Sequence, residues 1–207
     1  MRQLPSHGLY VLTDCDNYGG NQFLEKTEAI LESGIAMLQH RNKKDSADVR
    51  LEQAKKLQHL CRQYDVPLII NDDIELAKKI HADGIHLGSN DLPCAEARIQ
   101  SGTGHIIGIS CYNSLARAIN AESDGADYVA FGSFYPSTTK PDAVSADLEL
   151  LQSAKKHIKL PIVAIGGITP ENAKPLLQAG SDFLAVSRAI YRVENPAGEV
   201  KKFNQLF

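Results

Sequence analysis

Two short apolar runs in the sequence each lead into acidic side chains. The first run is followed directly by Asn71, Asp72 and Asp73, and the second ends shortly before Asp91. The segment between the runs has the apolar spacing of a helix, so two parallel strands would bring Asp72 and Asp91 to one edge of a sheet. Two carboxylates at one edge favour Mg²⁺, because this hard cation takes oxygen ligands, keeps several waters and also binds phosphate. Asp73 is predicted to cap the following helix.

Cationic and hydroxyl side chains follow two other apolar runs. Gln39, Arg41 and Lys43 alternate, and alternate side chains of an extended chain point to one face. A guanidinium beside the core needs a partner, which the carboxylates of the next strands or a bound anion could provide, and arginine matches the geometry of phosphate. The alternative is that the strand ends at Gln39 and that Lys43 lies in a solvated loop. Ser110, at the end of a later run, could donate to an anion or cap the next helix.

A long polar loop, residues 133–141, separates two later segments. It contains Ser137, Thr138, Thr139 and Lys140 and has no helical pattern. Loops of this length in compact domains are commonly lids or disordered segments. Three hydroxyls and a lysine could surround a phosphate.

A glycine pair that ends in Gly167 follows a further apolar run. Thr169 and Pro170 are predicted to be the cap and the first residue of the next helix. Glycines there would let backbone N–H groups approach a phosphate at the helix N-terminus. Val186 ends the last apolar run, and Ser187 opens a short helical turn. Phosphate sites after the seventh and eighth strands recur in (β/α)8 barrels.

The elements that must position these residues alternate between strand and helix. The predicted strands are 9–13, 36–40, 68–70, 84–87, 106–110, 128–131, 162–165 and 183–186. The predicted helices are 23–33, 46–64, 74–82, 94–100, 114–123, 146–157, 171–178 and a tail helix, 197–206. Such alternation implies a parallel sheet. Even spacing favours one closed (β/α)8 TIM barrel over residues 1–207, with an open doubly wound sheet as the alternative.

The joints between helix and strand repeat one feature. Gly34, Gly84, Gly125 and Gly180 each follow a predicted helix closely. Glycine just past a helix fits the left-handed conformation that ends many helices. The repetition indicates one supersecondary unit used many times.

Composition narrows the function classes. The 207 residues carry a formal net charge of −3 and form no basic stripe, which argues against a nucleic-acid partner. No apolar run approaches the roughly 20 residues of a membrane span, and none near the start resembles a signal peptide. Four cysteines without C-x-x-C spacing favour reduced thiols in the cytoplasm. Cys111 lacks an evident base, which disfavours it as a nucleophile.

Taken together, these motifs resemble the thiamine-phosphate synthase family over nearly the whole chain. Six motifs carry the resemblance because they occur in order and at successive strand ends. They are Gln39-x-Arg41-x-Lys43, Asn71-Asp72-Asp73, His86-Leu87-Gly88 with Asp91, Gly108-x-Ser110, Ser137-Thr138-Thr139-Lys140 and Ile165-Gly166-Gly167-Ile168.

The resemblance implies an activity, a cofactor and a role for each motif. The family couples hydroxymethylpyrimidine diphosphate to hydroxyethylthiazole phosphate, or its carboxylated form, and releases pyrophosphate with Mg²⁺ bound. It is thought to proceed through a pyrimidine methyl cation, so no strong base is required. The residues implied to contact the pyrimidine diphosphate are Gln39, Arg41, Lys43, Asn71, Ser110 and Lys140, of which Arg41, Lys43, Ser110 and Lys140 are implied to be catalytic. Those implied to hold Mg²⁺ are Asp72 and Asp91. Those implied to hold the thiazole phosphate are Ser137, Thr138, Thr139, Gly167, Val186 and Ser187.

Two positions depart from the family pattern. Tyr112 stands where the family often has histidine, and His40 stands where an apolar residue is more usual. The alternatives are a thiazole tautomerase-like isomerase, whose motif includes that histidine and lacks the metal carboxylates, and a non-catalytic thiazole-phosphate binding protein. Tyr112 together with Asp72 and Asp91 favours the synthase. The sequence leaves the oligomeric state open.

Overall fold

The structure is a computed structural model that describes residues 2–15, 20–136 and 144–207. Within these residues, parallel strands pair in chain order and close into a barrel, because the first strand pairs with the last. The strands are β1 (Gly8–Leu12), β2 (Met37–His40), β3 (Leu68–Asn71), β4 (Gly84–Leu87), β5 (Ile106–Tyr112), β6 (Tyr128–Phe131), β7 (Ile162–Ile165) and β8 (Phe183–Val186). The TIM-barrel prediction is confirmed, and the open sheet is excluded.

Helices follow each strand and cover the outside of the barrel. They are α1 (Gly20–Glu32), α2 (Ala47–Gln63), α3 (Ile74–Ile80), α4 (Cys94–Ser101), α5 (Leu115–Ser123), α6 (Leu148–His157), α7 (Lys174–Gln178), α8 (Arg188–Tyr191) and α9 (Pro196–Asn204). In the parts of the chain described, no helix is both long and apolar enough to cross a bilayer.

Alternation along the strands separates two apolar layers. One side of the strands packs against the helices in a large outer core. The other side fills the barrel interior with a smaller cluster: Tyr10, Leu12, Met37, Ile69, Ile106, Tyr128, Ala130, Val163, Phe183 and Ala185. A polar residue that shares the parity of this inner cluster therefore lies inside the barrel or at its mouth.

Aspartates at the amino ends of three strands tie neighbouring strands together. Asp83 precedes β4 and accepts from the backbone N–H of Leu68 at 3.0 Å. Asp127 and Asp182 precede β6 and β8 and accept in the same way from the starts of β5 and β7. Each also pairs with a cationic side chain. The repeated helix-to-strand joints are therefore stabilising contacts on the side of the barrel opposite its mouth.

The structure corrects two local predictions. Thr169 and Pro170 do not begin the seventh helix, because α7 starts at Lys174. Instead, Asn172 folds the intervening turn: its Oδ1 accepts from Thr169 N at 2.8 Å and its Nδ2 donates to the Gly167 carbonyl at 3.0 Å. An asparagine that bonds its own turn competes with helix formation.

Gly84 does not end a helix in the left-handed conformation; His81 does, with φ 54°. Gly84 is required instead by close strand packing, because a Cβ there would lie 2.3 Å from the Ile106 carbonyl oxygen. The prediction is confirmed at Gly34, Gly125 and Gly180, which all have positive φ.

We predict that Asp83→Ala lowers the free energy of unfolding by about 2–3 kcal/mol, because it leaves the buried Leu68 N–H unpaired and removes a charged acceptor. Urea denaturation followed by circular dichroism measures this loss. Glu52→Ala is the matched control, since it also deletes a carboxylate from an ion pair, but one on the exposed face of α2. Equal unfolding midpoints for the two variants would contradict the role of Asp83.

Candidate active site

A cavity of about 710 Å³ opens at the carboxyl ends of the strands. This volume falls in the range of small-molecule sites. The predicted site residues in its lining are Gln39, Arg41, Lys43, Asn71, Ser110, Gly167, Val186 and Ser187. Ser137, Thr138, Thr139 and Lys140 lie outside the described residues, as does most of the predicted loop.

Asp72 and Asp91 are not in the cavity lining, but Asp72 lies beside it, next to the lining residues Asn71 and Lys43. The side chains of Asp72 and Asp91 interact with each other, as the two acidic strand ends predicted. Lys43 Nζ lies 2.8 Å from Asp72 Oδ2, and the backbone N–H of Gly88 donates to Asp91 Oδ2 at 2.6 Å. One lysine and one backbone donor thus compensate two carboxylates.

The contact moves the pKa values of the two acids in opposite directions. Burial raises the pKa of Asp91, and its contact with Asp72 raises it further, against the opposing Gly88 N–H. Burial also raises the pKa of Asp72, but hydrogen bonds with Lys43 and Asp91 outweigh it and leave the pKa below its usual value. The surroundings therefore favour the ionised form of Asp72 more than that of Asp91.

The backbone after β3 separates the tasks of the adjacent aspartates. Asp72 has φ 65°, a left-handed conformation that non-glycine residues seldom adopt. Its neighbour Asp73 caps α3, with its side chain accepting from Leu76 N at 2.9 Å. The prediction that Asp73 is the cap is confirmed. The side chain of Asp72 is not used by the cap and interacts with Asp91.

The Asp91 loop rests on Tyr112. The Tyr112 hydroxyl accepts from Ser89 N at 3.3 Å and lies 3.1 Å from Ser89 Oγ. Arg117 covers the Tyr112 ring at 5.3 Å. A Cβ on Gly88 would lie 3.1 Å from Asp91 Oδ2, so the missing side chain allows the carboxylate its close approach.

Strand parity places Gln39 and His40 on opposite sides of β2. Gln39 is inside the barrel and 2% exposed, whereas His40 faces the outer core and is 3% exposed. Burial lowers the pKa of His40 to about 4, so it packs as a neutral side chain. β2 ends at His40, and beyond it Arg41, Lys43 and Lys44 line the cavity. The Arg41 backbone N–H donates to Thr13 Oγ1 at 2.9 Å, which fixes the chain there.

A continuous hydrogen-bonded series crosses the barrel interior, and four of its five members line the cavity. Gln39 Nε2 donates to the Tyr10 hydroxyl at 2.7 Å, and this hydroxyl lies 2.8 Å from that of Tyr128. The Tyr128 hydroxyl is 3.0 Å from His86 Nδ1, and His86 Nε2 is 2.8 Å from Ser110 Oγ. We call these five residues the buried chain. Ser110 belongs to it and does not cap the next helix, which Ser114 does.

Sequence reasoning did not assign roles to Tyr10 and Tyr128, although one signal marked them. Gly108 sits inside β5 and pairs in register with Tyr128. A Cβ on Gly108 would lie 2.0 Å from the Tyr128 ring, so the glycine makes room for that ring. A glycine within a strand often marks such a close approach.

The opposite wall of the cavity comes from β7 and β8. Gly166 and Gly167 have φ 107° and 63°. A Cβ on Gly167 would lie 2.6 Å from the Pro136 carbonyl oxygen, and Tyr135 N donates to the Gly166 carbonyl at 3.0 Å. The glycine pair thus packs against Tyr135 and Pro136, in the first part of the predicted loop. Arg188, which sequence reasoning missed, adds a cation to this wall.

Two chemical options can be assessed from the site. Among the residues described, no group of three or more His, Cys, Asp or Glu side chains is arranged to hold a metal ion. The acid pair therefore has no third protein ligand of these types. Cys111 is fully buried, and burial raises the pKa of its thiol to about 12, which agrees with its exclusion as a nucleophile.

Comparison with known proteins identifies a consistent set of relatives. A family model described as thiamine monophosphate synthase matches residues 9–190. The thiamine-phosphate synthase of Thiobacillus denitrificans is 48% identical over 207 residues, covering 100% of this chain and 97% of that protein. That of Nitrosomonas eutropha is 46% identical over 208 residues, with the same coverage of 100% and 97%. The solved structure of thiamine phosphate pyrophosphorylase from Pyrococcus furiosus has a TM-score of 0.86 and 33% identity, and the match covers 97% of this chain and 95% of that one.

We predict that Lys43→Gln raises the pKa of Asp72, because it removes the cation that favours the carboxylate. Since the pKa of Asp72 is depressed in the fold, its stabilising contribution is present at neutral pH and disappears as pH falls through that pKa. The variant therefore loses this contribution at a higher pH. Carboxyl-carbon NMR during a pH titration measures the change. Lys79→Gln, on the exposed face of α3, is the control, and an unchanged Asp72 titration in Lys43→Gln would refute the assignment.

Proposed function

The chain belongs to the thiamine monophosphate synthase family, and we propose that its barrel mouth couples hydroxymethylpyrimidine diphosphate to hydroxyethylthiazole phosphate, or its carboxylated form, with Mg²⁺ bound at Asp72 and Asp91. Thiamine phosphate synthesis is its activity; the substrates, the metal and the residue roles are the proposal. The observation that supports the metal assignment is the interaction between the two carboxylates beside the cavity.

The donor set suits Mg²⁺ better than a fully coordinated metal. Two carboxylates supply oxygen ligands and leave most positions to waters and to substrate phosphate, which is the usual arrangement for this ion. When bound, Mg²⁺ neutralises charge on the diphosphate. Because the acid pair lies beside the cavity, the bound Mg²⁺ and the diphosphate would lie at the edge of the cavity rather than in its interior.

Cationic side chains beside the acid pair assist departure of pyrophosphate. Negative charge grows on the leaving group as its bond to carbon breaks, so fixed cations stabilise the transition state more than the ground state. Arg41 and Lys43 line the cavity on the same side as Asp72. Lys140 is proposed to join them on the strength of the family motif. Lys43 would divide its bonding between Asp72 and the diphosphate.

The two substrates would take opposite walls of the cavity. Gln39, Asn71 and Ser110 present one amide, a second amide and a hydroxyl on the side of β2, β3 and β5, which fits a polar pyrimidine ring. Gly167, Val186 and Ser187 line the side of β7 and β8, where we place the thiazole phosphate. Ser137, Thr138 and Thr139 are assigned to that phosphate by the motif alone.

A strong general base is unnecessary in this scheme, because the thiazole nitrogen supplies the electron pair that forms the new bond. The site agrees with this, since Tyr112 supports the loop of Asp91 through its hydroxyl. The acid pair does not support the tautomerase alternative. Isomerisation of a thiazole releases no diphosphate, so it needs no Mg²⁺ to neutralise one. We also propose a cytoplasmic location, which the four unbridged cysteines support.

The proposal predicts that Asp72→Asn lowers Mg²⁺-dependent formation of thiamine phosphate at least about 100-fold, since it removes half of the protein's charge on the metal. The assay supplies both substrates and varies Mg²⁺, with product detected by chromatography. Asp73→Asn is the matched control, because asparagine keeps the α3 cap and the substitution is one residue away.

Three outcomes would count against the proposal. Wild-type protein that is folded but forms no product from saturating substrates and Mg²⁺ would overturn the substrate assignment. An Asp72→Asn variant with wild-type rate and Mg²⁺ dependence would overturn the metal assignment. Equal losses in Asp72→Asn and Asp73→Asn would indicate a local structural effect rather than metal binding.

A further inference from the structure

The buried chain joins Gln39 to Ser110 through two tyrosines and a histidine. Gln39 and Ser110 are its ends, and Tyr10 and His86 line the cavity with them. Tyr128, in the middle, is fully buried, and Tyr10 is 1% exposed. Burial raises the pKa of both phenols, so each hydroxyl keeps its single hydrogen. The neighbouring interior positions are apolar, as Ile69 illustrates.

One hydrogen per hydroxyl gives the whole chain a single direction. Because Gln39 Nε2 donates to Tyr10, the Tyr10 hydrogen goes to Tyr128, and the Tyr128 hydrogen goes to His86 Nδ1. His86 then carries its proton on Nε2 and donates it to Ser110. Ser110 keeps its own hydrogen to donate. Reversing one of these bonds requires reversing every other, so the chain behaves as one unit.

The direction determines what the cavity offers to a ligand. Gln39 uses its amide nitrogen on Tyr10, which leaves its carbonyl oxygen as the acceptor. Ser110 accepts from His86 and is left as a donor. One wall of the cavity therefore presents an acceptor at Gln39 and a donor at Ser110, and the two are coupled through the middle of the barrel.

We propose that Tyr10, Tyr128 and His86 are positioning residues that select an aminopyrimidine by fixing the hydrogen-bond direction of Gln39 and Ser110. The inference rests on the proposed function. A pyrimidine that carries an exocyclic amino group can donate from it to Gln39, while a ring nitrogen or diphosphate oxygen accepts from Ser110. In a pyrimidine with an oxo group at that position, the oxo oxygen would face the carbonyl oxygen of Gln39. Two acceptors cannot bond each other, so this pyrimidine is rejected.

The arrangement goes beyond what packing needs. Tyr128 occupies space that exists only because residue 108 is glycine. Its ring also stacks with His86, at 5.6 Å between centroids and 19° between planes, and meets Tyr10 edge to face at 5.9 Å. Phenylalanine could keep both ring contacts. The hydroxyl is thus the part of Tyr128 that packing does not explain, and the test removes that atom alone.

The experiment compares Tyr128→Phe with a matched control, Tyr191→Phe. Tyr191 is also fully buried and bonds a hydroxyl, that of Thr27 at 2.8 Å, but it lies in the outer core. For each protein, kcat/KM is measured with the aminopyrimidine diphosphate and with its oxo counterpart. We expect Tyr128→Phe to reduce the preference for the amino substrate at least about tenfold, the worth of one hydrogen bond. Tyr191→Phe should keep the wild-type preference.

A second measurement needs no turnover. Nitrogen-15 NMR of labelled histidine reports which ring nitrogen carries the proton, and His86→Asn identifies the signals of His86. Wild-type protein should show the Nε2–H form, and Tyr128→Phe should show a mixture of the two forms. If Tyr128→Phe does not fold, Tyr10→Phe breaks the same chain one bond earlier and is expected to give the same results.

Each failure points to a different conclusion. Wild-type protein that makes no thiamine phosphate defeats the proposed function, while the NMR measurement still tests the chain. An active wild type with an unchanged amino preference in Tyr128→Phe defeats the inference and leaves the function standing. The Nδ1–H form of His86 in wild-type protein would also overturn it, because the chain would then run in the opposite direction.

Discussion

Two carboxylates in contact repel each other unless a proton or a cation compensates them, and the rim of this barrel is arranged around that constraint. Asp72 reaches the contact through a left-handed residue conformation, and Asp91 through a loop held by Gly88 and Tyr112. Lys43 compensates part of the charge. In the proposed function, a negative pair bordered by cations would bind a metal ion and an anionic substrate together, which neither group alone could do.

Aspartate serves opposite purposes at the two ends of the barrel. At the amino ends, Asp83, Asp127 and Asp182 accept hydrogen bonds from backbone N–H groups and pair with cations. Their charge is therefore compensated within the fold. At the mouth, Asp72 and Asp91 share one lysine and lie beside a cavity. Residues at one end can therefore change stability with little effect on chemistry, a separation that the barrel topology makes possible.

Much of the architecture could be predicted from the sequence because strand period and chemistry agree. Alternation predicted that Gln39, Arg41 and Lys43 share one face, and all three line the cavity, although Lys44 lines it as well because β2 ends at His40. Pairing between distant residues was not predictable in the same way. The sequence around Tyr10 or Tyr128 does not indicate that the two side chains meet across the barrel, because their contact depends on closure of the sheet.

Local signals also failed where two motifs competed for one segment. Thr169 and Pro170 have the types expected at a helix start, yet the turn bonded by Asn172 delays α7 to Lys174. Gly84 looked like a helix terminator and proved to be a packing glycine. In both cases the residue type was informative, but the physical reason for it came from a neighbour several residues away or on another strand.

Tyr112 shows how a departure from a family pattern can be physically consistent with the same activity. Histidine at this position would suggest proton transfer, but a reaction driven by departure of pyrophosphate needs charge neutralisation more than a base. The Tyr112 hydroxyl accepts from Ser89 N, and its ring lies beneath Arg117. Its contacts thus act on the loop that carries Asp91. Tyr112 therefore acts on the acid pair through the loop of Asp91.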